Sequence, residues 1–127
     1  MQYFDHETLD VYQTSIEFVV VIESIVKQFP KGRAYLIDQL QRAGSSVTLN
    51  IAEGAGELST NEKIRFYRMA RRSATECASI LDICRRLDLI DENMSSKARS
   101  LLLRVVSMLT KIARVSSVTQ AVTQTFT

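Results

Sequence analysis

The stretch QLQRAGSSVTLNIAEGAGELSTNE, residues 39–62, holds a helix, the end of that helix and the start of the next one. Its small and apolar residues recur at steps of three and four, which places them on one helical stripe. They are Leu40, Ala43, Val47, Asn50 and Gly54. We expect Gly54 and Gly56 to close this helix in the left-handed conformation that glycine adopts easily. Ser59 and Glu62 match a capping box that starts the next helix.

Before this stretch, residues 6–28 are predicted to form a first helix, with Asp5 as its N-cap and a hydrophobic staple between Phe4 and Leu9. Its apolar residues form two stripes. The first is a heptad seam of Leu9, Tyr12, Ile16, Val19 and Val26, interrupted by Glu23; the second contains Phe18, Ile22, Ile25 and Phe29. The second stripe has two interpretations, a contact with another copy of the chain or a more central place for this helix within one subunit. Pro30 ends the helix.

The second helix is predicted over residues 33–55, with Asn50 on its apolar stripe. A buried asparagine needs hydrogen-bond partners, so Asn50 is either a polar lock that sets helix register or a ligand contact. Glu53 lies on a neighbouring face, where an arginine of another helix or subunit would pair with it. Both interpretations of Asn50 stay open at the level of sequence.

Two more helices follow. The third, over residues 60–87, has a heptad seam of Tyr67, Ala70, Ala74, Cys77, Leu81 and Cys84. The fourth begins after Asp91 as N-cap and is predicted to end near Arg114. Its buried face is Ala98, Leu101, Leu102, Val105, Met108, Leu109 and Ile112. Residues 1–115 are thus predicted to be an all-α, antiparallel up-down-up-down four-helix bundle. The uncharged tail, residues 116–127, is a helix extension, a frayed end or a partner-bound segment.

Composition argues against an enzyme. A chain of 127 residues is one domain, and no apolar run approaches the roughly 18 residues of a membrane span. The N-terminus has no signal-peptide pattern, so we expect a cytoplasmic protein. His6 is the only histidine, which excludes a catalytic triad or a histidine zinc site elsewhere in the chain. No phosphate loop of the Walker type occurs, so we expect no cofactor and no metal.

Cys77 and Cys84 would lie about 10 Å apart along one helix. That separation exceeds the limit of about 7 Å for a disulfide, so both are predicted to be buried free thiols.

Charge is distributed unevenly along the chain. Residues 1–59 contain four basic and eight acidic side chains, whereas residues 60–127 contain twelve basic and six acidic ones. The basic half carries two stripes at helical spacing, Arg65, Arg68 and Arg72 on the third helix and Lys97, Arg104 and Lys111 on the fourth. Such stripes suit a polyanion. The alternative is a solvated face, or pairing with the acidic first helix of a neighbouring subunit. Phe66 is the one aromatic residue placed to stack on a base.

Two segments resemble a known family, the four-helix-bundle proteins encoded in intervening sequences of bacterial large-subunit (23S) ribosomal RNA genes. The first is Gln39-Leu40, Arg42-Ala43, Ser46-Val47 and the run Asn50-Ile51-Ala52-Glu53-Gly54. The second, residues 70–76, reads ARRSATE and includes Ser73 and Glu76. Arg72 and Cys77 depart from the family, which usually has glycine and leucine there. The resemblance covers about residues 4–114.

The resemblance implies the same bundle fold and assembly as a homopentamer. A similar bundle is the accessory variability protein of diversity-generating retroelements, which joins a reverse transcriptase and nucleic acid. The expectation is therefore a non-enzymatic, self-associating accessory protein that binds RNA or DNA. A reverse transcriptase or another protein is a further expected partner, and a membrane is not. The alternative is a protein-interaction scaffold without nucleic-acid binding, whose basic stripes are consumed between subunits.

Overall fold

The computed structural model describes residues 2–126, and the side chains of all of these except residues 120 and 123–126. A short 3-10 helix, Asp5–Thr8, precedes four α-helices: α1 (Asp10–Val26), α2 (Ala34–Gly56), α3 (Thr60–Arg86) and α4 (Glu92–Phe126). The described residues contain no β-strand. The prediction of an all-α protein with four helices is confirmed.

The four helices pack around one core, with α1 and α3 each contacting both α2 and α4. Its largest fully buried side chains include Phe18 and Ile22 of α1, Leu40 and Ile51 of α2, and Leu109 of α4. Each such side chain contributes roughly 1.5 to 3 kcal/mol by leaving water. The seam predicted on α3 is buried throughout and combines two large residues with four small ones: Tyr67, Ala70, Ala74, Cys77, Leu81 and Cys84.

The start of α1 differs from the prediction. Asp5 begins the 3-10 helix, and Leu9, with an extended backbone and no side-chain cap, precedes α1. The Phe4 side chain is 73% exposed and its ring stacks on His6, so the expected Asp5 cap and Phe4–Leu9 staple are wrong. The physical reason is tertiary, because the 3-10 helix packs against α2 and its His6 ring contacts Tyr12.

The structure decides between the two interpretations of the second apolar stripe of α1, in favour of a central place for this helix within one subunit. Phe18, Ile22 and Ile25 of the second stripe are fully buried. In the heptad seam Ile16 is 37% exposed, whereas Tyr12 and Val19 are half-buried. The second stripe therefore forms the core of the subunit itself, and the heptad seam lies at its edge except for Val26, which is buried.

The end of α2 also differs from the prediction. Gly54 is buried inside the helix, Gly56 is its last residue, and the next residue, Glu57, is extended; neither glycine has the left-handed conformation. The terminal carbonyls are satisfied by a side chain instead, since Lys63 Nζ of α3 donates to the carbonyls of Gly54 at 2.9 Å and Ala55 at 3.0 Å. A lysine suits this place because the C-terminal end of a helix carries partial negative charge.

The predicted N-caps of α3 and α4 are present. Ser59 Oγ accepts from the Glu62 amide at 3.4 Å, although the Glu62 carboxylate binds Arg65 rather than completing a capping box. Asp91 Oδ1 accepts from the Met94 amide at 2.8 Å. At its other end α4 does not stop near Arg114 but continues to Phe126, because residues 115–126 contain neither glycine nor proline. The tail is thus a helix extension.

The predicted buried face of α4 is largely correct. Ala98, Leu101, Leu102, Val105 and Leu109 are buried, whereas Met108 and Ile112 are half-buried. In the extension, Val115, Val118 and Val122 are more than half exposed. Among residues 2–126, no helix combines the length and the apolar character needed to cross a bilayer.

Candidate nucleic-acid interface

The three arginines predicted on α3 are all exposed, but they are not equivalent. Arg65 binds the Glu62 carboxylate through Nε and Nη2, with distances of 2.8 to 3.1 Å. Its guanidinium carbon also lies 4.6 Å from the centre of the Phe66 ring. These hydrogen bonds hold the pKa of Glu62 below its ordinary value. The charge of Arg65 is therefore partly compensated, and Phe66 is covered by a side chain of its own helix.

Arg68 and Arg72 differ from Arg65 in having no ion-pair or hydrogen-bond partner among the side chains that the structure describes. Both line an open groove of about 750 Å³ along α3, which also contains Arg65, Arg71 and Ser117. We call this surface the arginine groove. Glu62 is its one acidic lining residue, and Glu62 is already paired with Arg65.

The groove adjoins a smaller, similarly open cavity between α3 and α4, with which it shares Arg68, Arg71 and Ser117. This cavity, of about 210 Å³, contains the side chains of three arginines, Arg68, Arg71 and Arg114. We call it the arginine pocket. Its other lining residues are Tyr67, Leu109, Thr110, Ala113 and Ser117, with no carboxylate among them.

Arg71 and Arg114 were missed in the sequence. Arg71 is held in place by donating to Thr110 Oγ1 at 3.4 Å, and that hydroxyl donates to the Val106 carbonyl at 2.8 Å. Arg114 has no partner within the described part of the chain. A signal for Arg71 existed, since it lies three residues after Arg68 on the same helix. The sequence held no such signal for Arg114, because its position beside α3 depends on how α4 packs against that helix.

The second predicted stripe lies elsewhere. Lys97 lines a groove between α1 and α4 together with Gln13 and Glu17. Residues seven apart stay close to one side of a helix, so Arg104 and Lys111 lie along the same side as Lys97. The side of α4 that faces the arginines of α3 is a different one, since it is Thr110 that accepts a hydrogen bond from Arg71. The two basic stripes therefore do not form one surface, although Lys97, Arg104 and Lys111 also have no ion pair among the described residues.

The motif residues of α2 and α3 meet in a small polar cluster. Asn50 Nδ2 donates to the carbonyl of Ser46 at 2.8 Å and to its Oγ at 3.0 Å. Ser46 Oγ in turn shares a hydrogen bond of 2.8 Å with Ser73 Oγ of α3. Asn50 is half-buried, and the link between helices passes through Ser46. Glu53 and Glu76 are exposed and make no ion pair within the described residues.

Both cysteines are free and buried in α3. Burial raises the pKa of Cys77 to about 12, with a further contribution from the Glu76 carboxylate. Burial also raises the pKa of Cys84. Within residues 2–126, no group of three or more histidine, cysteine, aspartate or glutamate side chains is arranged to hold a metal ion.

The fold and this surface together define a helical bundle with an arginine-lined groove between two of its helices. Residues 7–111 match the model of the 23S rRNA-intervening sequence protein family, so the chain belongs to that family, as its two motifs predicted.

Solved structures show the same fold. A crystal structure from Bacteroides thetaiotaomicron VPI-5482, described as a protein with unknown function from the S23 ribosomal protein family, aligns with a TM-score of 0.75 and 23% identity. The alignment covers 81% of this chain and 97% of that chain. No curated protein matches the chain.

Proposed function

We propose that this protein is a non-enzymatic, cytoplasmic accessory protein that binds RNA or DNA through the arginine groove. The observation that carries the proposal is the charge state of the groove. Arg68 and Arg72 of the groove, and Arg114 of the adjoining pocket, have no acidic partner among the described residues, whereas Arg65 is paired with Glu62. Unpaired guanidinium groups bind phosphates well, because each contact releases counterions from the nucleic acid.

The spacing of the groove supports the same proposal. Arg65 and Arg72 lie seven residues apart, about 10 Å along the axis of α3. Arg68 and Arg71 lie between them, and Arg114 of α4 lines the cavity beside Arg68 and Arg71. One strand of a duplex carries a phosphate about every 3.4 Å along its axis, so this length spans roughly three successive phosphates. Contacts of this kind position a nucleic acid without reading its sequence, so we expect modest sequence preference.

We further propose that the bundle is antiparallel, up-down-up-down. The supporting contacts run in opposite senses along neighbouring helices. Late in α1, Glu23 accepts from Gln41 early in α2, whereas Ser15 accepts from Thr48 further along α2.

The proposed assembly is a homopentamer, as the family resemblance implies. Exposed apolar side chains on α1 and α4, including Val20 and Leu103, supply contact area for it. A pentamer would repeat the arginine groove in every subunit and strengthen a weak site through avidity.

The test is binding of the purified protein to a structured RNA and to a duplex DNA, by fluorescence anisotropy at low and physiological salt, with the native mass measured on the same sample. We expect micromolar binding that weakens steeply with salt. An Arg68→Gln/Arg72→Gln variant should bind about tenfold or more weakly and lose roughly two units of the salt slope.

The matched control is Lys27→Gln/Lys31→Gln, which removes the same charge from exposed residues near the connection between α1 and α2. It should bind as the unmodified protein does. Equal weakening of both variants would place binding outside the groove. If the intact oligomer binds no nucleic acid even at low salt, the proposal is overturned and the scaffold is favoured. The scaffold is also favoured if the groove variant loses the native mass of the oligomer, because the arginines would then hold subunits together.

A further inference from the structure

We propose that the arginine pocket receives a terminal phosphate of a nucleic acid, a phosphomonoester, in preference to an internal phosphodiester. This inference rests on the proposed function and specifies which group of the nucleic acid enters the pocket. Its residues come from two helices: Arg68 and Arg71 from α3, and Arg114 from α4.

The charge of the pocket favours a dianion. Three guanidinium groups line it, and no aspartate or glutamate does. A phosphomonoester carries about −1.5 to −2 at pH 7, whereas an internal diester carries a single charge. A dianion therefore neutralises more of the pocket. Another cavity between α3 and α4 is balanced by contrast, since its Arg85 and Arg99 are accompanied by Asp82 and Glu92.

The size of the pocket agrees with one phosphate group and its hydration. A volume of about 210 Å³ corresponds to roughly seven waters of the liquid. Leu109 and Ala113 form an apolar part of its lining. The wider arginine groove shares Arg68, Arg71 and Ser117 with the pocket, so a strand whose terminal phosphate lies in the pocket can continue along the groove.

An independent observation comes from Tyr67. This side chain is only 3% exposed and lines the pocket, yet its hydroxyl has no hydrogen-bond partner among the described residues. No side-chain nitrogen or oxygen of the described residues is both buried and unpartnered, so the Tyr67 hydroxyl reaches solvent, where it is free to donate to a ligand in the pocket. A phosphate oxygen would accept from Tyr67, and Ser117 supplies a further hydroxyl.

The experiment compares single-stranded RNA oligonucleotides of one sequence that carry a 5′-phosphate, a 3′-phosphate or hydroxyls at both ends, at physiological salt. We expect at least one phosphorylated form to bind about tenfold more tightly than the hydroxyl form, the factor that one charge-assisted hydrogen bond provides. A nucleoside monophosphate should compete with the phosphorylated oligonucleotide and abolish its tenfold advantage over the hydroxyl form. The 5′ and 3′ forms separate the two ends.

Two variants locate the effect. Arg114→Gln and Tyr67→Phe should each reduce the preference for the phosphorylated end while leaving the hydroxyl form bound. Arg72→Gln, outside the pocket, should weaken both forms equally. Binding of all three oligonucleotides within twofold, or a full preference retained in Arg114→Gln, would overturn the inference and leave the proposed function standing. No binding of any oligonucleotide at low salt would overturn the proposed function itself.

Discussion

A β-carbon added to Gly54 of α2 would lie 2.7 Å from Cε1 and 2.9 Å from Cδ1 of the Tyr67 ring in α3. The absence of a side chain at Gly54 is therefore what allows the Tyr67 ring to lie against the backbone of α2. The glycine of the NIAEG run serves close helix packing, and its backbone conformation is ordinary. The same Tyr67 side chain lines the arginine pocket. The glycine of the NIAEG run therefore helps to position one wall of that pocket.

Gly54→Ala should destabilise the protein by up to about 2 kcal/mol. The added methyl group would also meet Phe66 Cβ at 3.2 Å, so the ring and its helix must shift. Overpacking costs about 1 to 3 kcal/mol, which exceeds the gain of about 1 kcal/mol from replacing glycine in a helix. Urea unfolding of both proteins measures the difference.

Gly56→Ala is the matched control. Nothing lies within 4 Å of a β-carbon at this position, and its backbone is not left-handed. Alanine restricts the unfolded chain, so we expect this variant to gain up to about 1 kcal/mol. Opposite signs for the two variants identify packing as the role of Gly54; equal gains in both would contradict it.

Lys63→Met should lower the free energy of unfolding by about 1 to 2 kcal/mol, because two carbonyls at the end of α2 lose a charged donor. Methionine keeps much of the apolar stem, which isolates the effect of the ammonium group. Thermal and urea unfolding measure the loss. Lys31→Met, at an exposed position without a hydrogen bond among the described residues, should change stability by less than about 0.5 kcal/mol.

Ser46 and Ser73 should be energetically coupled. A double-mutant cycle with Ser46→Ala and Ser73→Ala is expected to give a coupling energy of about 0.5 to 1.5 kcal/mol, the net contribution of one hydrogen bond. Ser45 and Ser79 are exposed serines on the same two helices and share no hydrogen bond, so the same cycle on them should give a value near zero. A null result for Ser46 and Ser73 would show that the polar cluster does not link the helices.

Stability should fall above pH 9 because of Cys77. Burial raises its pKa from 9.0 to about 12, so folding keeps the thiol protonated. The contribution is fully present below the unfolded pKa and is lost as the pH rises from about 9 to 12, at up to about 1.4 kcal/mol per pH unit.

Cys77→Ala removes this titration and should flatten the decline between pH 9 and 11, in addition to a pH-independent cost from the cavity it leaves. Ser79→Ala, an exposed change on the same helix, should keep the original slope. Unfolding in urea at several pH values separates the two effects. Identical slopes in the Cys77→Ala and unmodified proteins would contradict the prediction.

The sequence by itself determined the features that depend on neighbours three or four residues apart. The seam of α3 and the caps at Ser59 and Asp91 follow from local hydrogen bonding and helical period, and the structure confirms each of them. The uneven charge and the family motifs were readable in the same way. These features need no knowledge of the packing between helices.

Tertiary structure decided the rest, because those features join residues far apart in the chain. Both stripes of α1 are apolar, and only packing against α2 and α4 selects Phe18 and Ile22 for the core. Gly54 makes room for the Tyr67 ring of the neighbouring helix, and Lys63 of α3 binds the carbonyls at the end of α2. Arg114 of α4 completes the arginine pocket beside α3. Helical period places a side chain on a face of its own helix, whereas contacts between helices depend on how the faces of different helices meet.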